Sequence, residues 1–90
     1  MNDHQPSVQK GLGDIRALIE HVAKALVDES ESVSVQAVEQ EDGVVLELRV
    51  AAKDVGKVIG KQGRTARAMR TILGAAGMKF HTRYTLEIIE

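Results

Sequence analysis

The chain has no cysteine and no tryptophan, and only one phenylalanine, one tyrosine and one proline among its 90 residues. Each shortage closes off a class of function. Without thiols there are no disulfides and no thiolate metal sites, a usage that suits a reducing cytosol. The two aromatics, Phe80 and Tyr84, are both in phase with the apolar side of the last segment, where they suit a core. No ring is left over for a stacking platform, so modules that read bases through exposed sheet aromatics fit poorly. No apolar stretch approaches the roughly 20 residues that span a bilayer. Met1 to Pro6 lacks the basic start and apolar run of a secretory signal. The expected location is cytoplasmic, with no membrane partner. What remains, 43% hydrophobic and 28% charged residues, is the composition of one small soluble domain with a modest core.

Chemistry-bearing side chains are present but never grouped. His4, His21 and His81 are scattered, with no ligand spacing and no nucleophile beside them. Ser7, Ser30, Ser32 and Ser34 have no partnered base, and Asp28-Glu29-Ser30-Glu31 suits a helix end and a solvated turn. No catalytic residue, no metal and no organic cofactor is expected, and the chain is not expected to be an enzyme.

The net charge of −1 hides a lopsided distribution. Met1 to Ala52 carries four basic and ten acidic residues, a balance of −6, whereas Lys53 to Glu90 carries eight basic and three acidic, a balance of +5. Six of the eight, Lys53, Lys57, Lys61, Arg64, Arg67 and Arg70, lie around the run Val58-Ile59-Gly60-Lys61-Gln62-Gly63. Two glycines flanking two polar residues suit a tight turn whose bare backbone can lie against a sugar-phosphate chain. Cations gathered at such a turn point to an anion-binding surface. Counting excludes other glycine loops. A Walker loop needs four residues between its glycines and Ser or Thr after the lysine, but three separate Gly56 from Gly60 and Gln62 follows Lys61. Gly11-Leu12-Gly13 lacks the third glycine of a dinucleotide fingerprint. A bare pair of glycines carries little by itself, since Gly74-Ala75-Ala76-Gly77 repeats the spacing.

Periodicity predicts the elements. Residues 1–13, with Pro6, Gly11 and Gly13, suggest a flexible tail, leaving 14–90 as the folded domain. Ile15, Leu18, Ile19, Val22 and Leu26 predict a helix from an Asp14 N-cap to about Val27. Val33, Val35 and Ala37 predict a half-buried strand; after an Asp42-Gly43 turn, Val44 to Val50 predict a second, central one. Lys53 to Ile59 should be a short helix with Val55, Val58 and Ile59 turned inward. Ala66, Met69, Ile72, Leu73 and Ala76 mark the core face of a longer helix capped by Gly77, with Arg64, Arg67 and Arg70 as an outer stripe. Phe80, Thr82, Tyr84, Leu86 and Ile88 predict a closing strand. The expected fold is α+β, ordered α-β-β-α-α-β, a three-stranded mixed sheet with helices packed on one face. Its second and third strands should be parallel, joined by a right-handed crossover.

That order, with Val58-Ile59-Gly60-Lys61-Gln62-Gly63 between the second and third helices, resembles the K-homology (KH) domain in its type II topology. The likeness runs from about Ile15 to Ile89. In length and acidic first half the chain is similar to the small bacterial RNA-binding proteins of the KhpA family. The resemblance implies a groove for about four nucleotides of single-stranded RNA. Gly60, Lys61, Gln62 and Gly63 would hold the backbone, Lys57 and Arg64 would add phosphate contacts, and Val58 and Ile59 would line an apolar floor. Arg67 would be an outer contact, and Val44 to Val50 the opposite wall. Where KH domains usually place a large aliphatic residue after the loop, this chain has Thr65-Ala66 and Ala68-Met69. The family likeness implies an RNA chaperone or post-transcriptional regulator. It also implies pairing through this region, as a homodimer or as a heterodimer with a larger KH-containing RNA-binding protein. An alternative is a protein-protein adaptor, dimerising through the KH loop and helix face, whose partner binds most of the RNA. A link to cell shape and cell wall biogenesis would rest on the resemblance alone.

Overall fold

The computed structural model describes residues 7–90, with side chains from residue 11 onward. Helix α1 (Ser7–Leu26) leads into the hairpin β1 (Ser34–Gln40) and β2 (Gly43–Arg49), followed by the short α2 (Val55–Ile59), then α3 (Arg64–Phe80) and β3 (Tyr84–Ile89). The sheet runs β1-β2-β3, with β2 central, antiparallel to β1 and parallel to β3. The expected α+β architecture and strand order are therefore present.

Alternation along the strands decides what faces what. Val35 pairs with Leu48, and Leu46 with Leu86, so these side chains share the face under the helices. Gln36, Glu47 and Glu87 lie in register on the opposite face. Ile15, Ile19 and Ala23 of α1 and Met69 and Leu73 of α3 close the core over the sheet. Burying one Leu or Ile contributes roughly 1.5–3 kcal/mol, so one side of each helix suffices to hold it.

Several boundaries differ from the sequence expectation. Helix α1 starts at Ser7 rather than Asp14, which is therefore an exposed helical residue and no N-cap. The expected tail at Met1 to Pro6 lies outside the described residues. The first strand runs on to Gln40. Helix α3 passes through Gly77 and ends at Phe80, so Phe80 closes a helix rather than opening a strand. A Cβ on Gly77 would lie 2.4 Å from the Thr82 carbonyl oxygen, a close approach that only glycine allows. The cap is His81, left-handed at φ 54°, and the His81 and Thr82 amides both donate to the Gly77 carbonyl. Ile59 and Ile72, expected to face inward, are 37% and 44% exposed.

The extra turns of α1 are explained by packing. Gly11 is buried against the Phe80 ring, where a Cβ would fall 2.6 Å from Cγ. Gly13 is exposed and a Cβ there would meet nothing within 4 Å. Two helical glycines should therefore respond oppositely to alanine. Gly13→Ala should stabilise by about 0.5–1 kcal/mol through helix propensity. In Gly11→Ala that gain is outweighed by overpacking, which costs about 1–3 kcal/mol. Urea denaturation checks the pair; equal gains at both positions would mean that Phe80 does not press on α1.

Candidate nucleic-acid interface

The turn between α2 and α3 is built on backbone that ordinary residues avoid. Gly60 has φ 81° and ψ 169°, Gln62 φ 58° and ψ 25°, and Gly63 φ 73° and ψ 14°. Positive φ at three of four consecutive residues reverses the chain within one 3₁₀ turn, Lys61–Gly63. The Gly60 amide closes α2 by donating to the Gly56 carbonyl at 2.9 Å, and the Gly63 amide donates to the Gly60 carbonyl at 3.0 Å. The chain then enters the 17-residue α3, whose partly positive N-terminus points back at the turn.

Two arginines fold over this turn. Arg64 Nη2 donates to Gln62 Oε1 at 2.9 Å, and Arg67 Nη2 donates to the Gln62 carbonyl oxygen. Lys61 is exposed and has no ion pair among the described residues. Arg70, the third member of the expected stripe, instead donates to the Leu86 carbonyl on the β3 edge at 3.3 Å. Gln62, Arg64 and Arg67 are thus brought together, with exposed Lys61 in the same turn, while Arg70 serves the sheet.

The apolar residues before the turn divide. Val58 is 0% exposed and supports the turn from inside the core, whereas Ile59 is at the surface beside Gly60. Val44, Leu46, Leu48 and Val50 are buried, so the expected opposite wall offers no open apolar side chain on the helix side of β2. Two surface hollows, about 460 and 490 Å³, lie around Asp42, His81 and Arg83, away from the glycine turn.

Lys57 is committed elsewhere. Its ammonium lies 3.4 Å from both Asp28 Oδ2 and Asp54 Oδ1. Asp54 is 0% exposed, and its carboxylate accepts the Glu29 amide at 3.1 Å and the Asp28 amide at 3.3 Å. Burial pushes the Asp54 pKa up, but the Glu29 and Asp28 amides and Lys57 outweigh it, and the carboxyl sits below its ordinary value. It is therefore ionised at neutral pH. Sequence reasoning missed this residue, because its amide partners lie 25 and 26 positions away. One signal was there: Asp54 is the only acidic residue between Glu47 and Glu87.

Among the described residues no three His, Cys, Asp or Glu side chains gather as a metal site, and no helix is long and apolar enough to cross a membrane. The site offers cations, backbone and one exposed aliphatic side chain, which suits holding a polyanion.

Comparison with known proteins points the same way. The family model described as the KhpA/KhpB KH domain matches residues 16–88. The chain is 47% identical over 81 residues to the RNA-binding protein KhpA of Borreliella burgdorferi, covering 90% of this chain and 99% of that one. It is 53% identical over 76 residues to the RNA-binding protein KhpA of Aquifex aeolicus, covering 84% and 96%. With the RNA-binding protein KhpA of Treponema pallidum it shares 53% over 73 residues, covering 81% and 91%. No solved structure matches.

Proposed function

The chain belongs to the KhpA/KhpB KH-domain family, and on that premise we propose that it binds single-stranded RNA at the Gly60-Lys61-Gln62-Gly63 turn. The observation that carries this reading is the turn itself: three positive-φ residues, an exposed Lys61 within the turn, and Arg64 and Arg67 folded over it onto Gln62. Backbone that can approach a phosphate, next to cations that can neutralise it, is what a short single strand needs. Lys61, Arg64 and Arg67 contact phosphates, Gly60 to Gly63 hold the strand's backbone, and Ile59 meets a base face. Val58 acts from beneath. A chain with this one small site and no catalytic grouping among its described residues works as an RNA chaperone or post-transcriptional regulator.

The test is anisotropy of a short labelled single-stranded RNA across a salt series. Three phosphate contacts predict a slope of log K against log salt of about −2 on a single strand. Binding that does not respond to salt would remove the phosphate contacts from the reading.

One observation favours a second role, pairing. Ile72 is 44% exposed, and Ala68 and Ala75, four and three residues away on the same helix face, are exposed beside it. Small neighbours let a second helix approach closely, so this stripe suits a second copy of the chain or a larger KH-containing protein. Sedimentation should then show a concentration-dependent dimer in the wild type and a monomer in Ile72→Glu. Identical profiles would dismiss pairing through this face.

A further inference from the structure

A buried carboxylate at the root of the RNA-binding turn needs a reason. Taking an ionised side chain out of water is costly unless it is paired and hydrogen-bonded, and a well-packed apolar residue often stabilises a fold as well. Asp54 is nevertheless fully buried, and its partners are specific: the Asp28 and Glu29 amides beyond α1, and Lys57 one turn into α2. Lys57 also reaches Asp28, so the two residues tie α2 to one short segment from both sides.

What they hold is the helix that ends in the glycine turn. Helix α2 has five residues, far too few to be stable alone. Its only fully buried apolar side chain is Val58, which fixes its depth but not its direction. Direction needs a second fixed point, and Asp54 stands at the N-terminal end, six residues or about 9 Å of helix rise before Gly60.

We propose that Asp54, with Lys57, is a positioning element for RNA binding: it anchors α2 to Asp28 and Glu29 and so sets the glycine turn against the RNA. The inference rests on the proposed function. It also reassigns Lys57, which spends its charge on this anchor rather than on a phosphate.

Asp54→Asn and Lys57→Gln test it. Asn keeps the size of Asp54 but leaves one amide facing a donor, while Lys57 is partly exposed and can be neutralised without opening the core. RNA affinity is measured well below the melting temperature, where loss of global stability alone changes nothing. If the competent turn falls to about a tenth of the population, apparent affinity falls about tenfold. The slope against salt stays that of wild type, because no phosphate contact has gone. Amide exchange should quicken more at Gly60 and Gly63 than at Val45 and Leu46 in the sheet.

Wild-type affinity in folded Asp54→Asn would overturn the proposal. So would exchange that quickens equally everywhere, which marks a purely structural role. A slope reduced by about 0.7 in Lys57→Gln would return Lys57 to a phosphate. Should Asp54→Asn not fold, Lys57→Gln carries the same readouts. Absence of RNA binding by the wild type would sink the proposed function, and the exchange comparison would still decide whether the anchor holds the turn.

Discussion

The double variant Lys61→Asp, Gln62→Asp should lose roughly a hundredfold or more in RNA affinity while staying folded, an effect larger than removing any single cation. Lys61→Asp replaces an exposed cation by an anion, and Gln62→Asp adds a second anion two residues before Arg64. Near a strand of phosphates that is three units of charge in the wrong direction, each worth about 1 kcal/mol at contact distance in water. The geometry adds a further loss. Arg64 already donates to the Gln62 side chain, and a carboxylate there would hold the guanidinium in a stronger charge-assisted bond, away from phosphate.

The backbone should tolerate the change. Position 62 has φ 58° in the left-handed region, which Asp adopts more readily than most residues, and both side chains are exposed. Anisotropy across a salt series, with circular dichroism on the same samples, checks both halves of the expectation. Equal binding by a folded variant would detach RNA from the glycine turn and move the proposal toward a protein-pairing role for it.

Local patterns carried most of the fold and part of the site. Strand alternation placed Leu46 and Leu86 on one face, and the two glycines placed the turn, because both depend on near neighbours in sequence. Long-range contacts were invisible. Gly11 and Gly77 read as helix breakers, yet each sits inside a helix at a point where another part of the chain comes too close for a side chain. Helix propensity gives way there to tertiary packing. Asp54 is the same lesson at the site. Its acidity was plain against the basic stretch around it, but its meaning lies in two amides on a segment the sequence places beside α1. The cations divided for a similar reason: Arg67 reaches the turn and Arg70 the β3 edge, although both belong to one helical stripe.

The largest stability effect should come from Gly60→Ala. At φ 81° and ψ 169° Gly60 occupies a region open essentially to glycine alone, where another residue costs about 1–3 kcal/mol of strain. The added Cβ would also fall 2.3 Å from Thr65 Oγ1 and 2.9 Å from the Thr65 amide nitrogen. A rotated hydroxyl could relieve the first contact, but the second is helix backbone and cannot yield without moving the start of α3. Overpacking of that kind costs about 1–3 kcal/mol more. Together these remove roughly 2–6 kcal/mol from a domain whose total stability is on the order of 5–13 kcal/mol, lowering the melting temperature by about 10–45 °C. Gly63 is the control. Its φ of 73° is ordinary left-handed backbone, and a Cβ there would meet only Arg67 Nη2, at an ordinary contact distance of 3.7 Å. Gly63→Asn should therefore cost about 1 kcal/mol or less, since Asn accepts that region. Thermal melts of the two variants test this: a large loss at Gly60 and a small one at Gly63 shows that the constraint is the particular backbone region of Gly60 together with closure on Thr65, not positive φ in general. Equal losses would mean that left-handed backbone alone requires the glycines, and that the α3 start could move to admit a side chain.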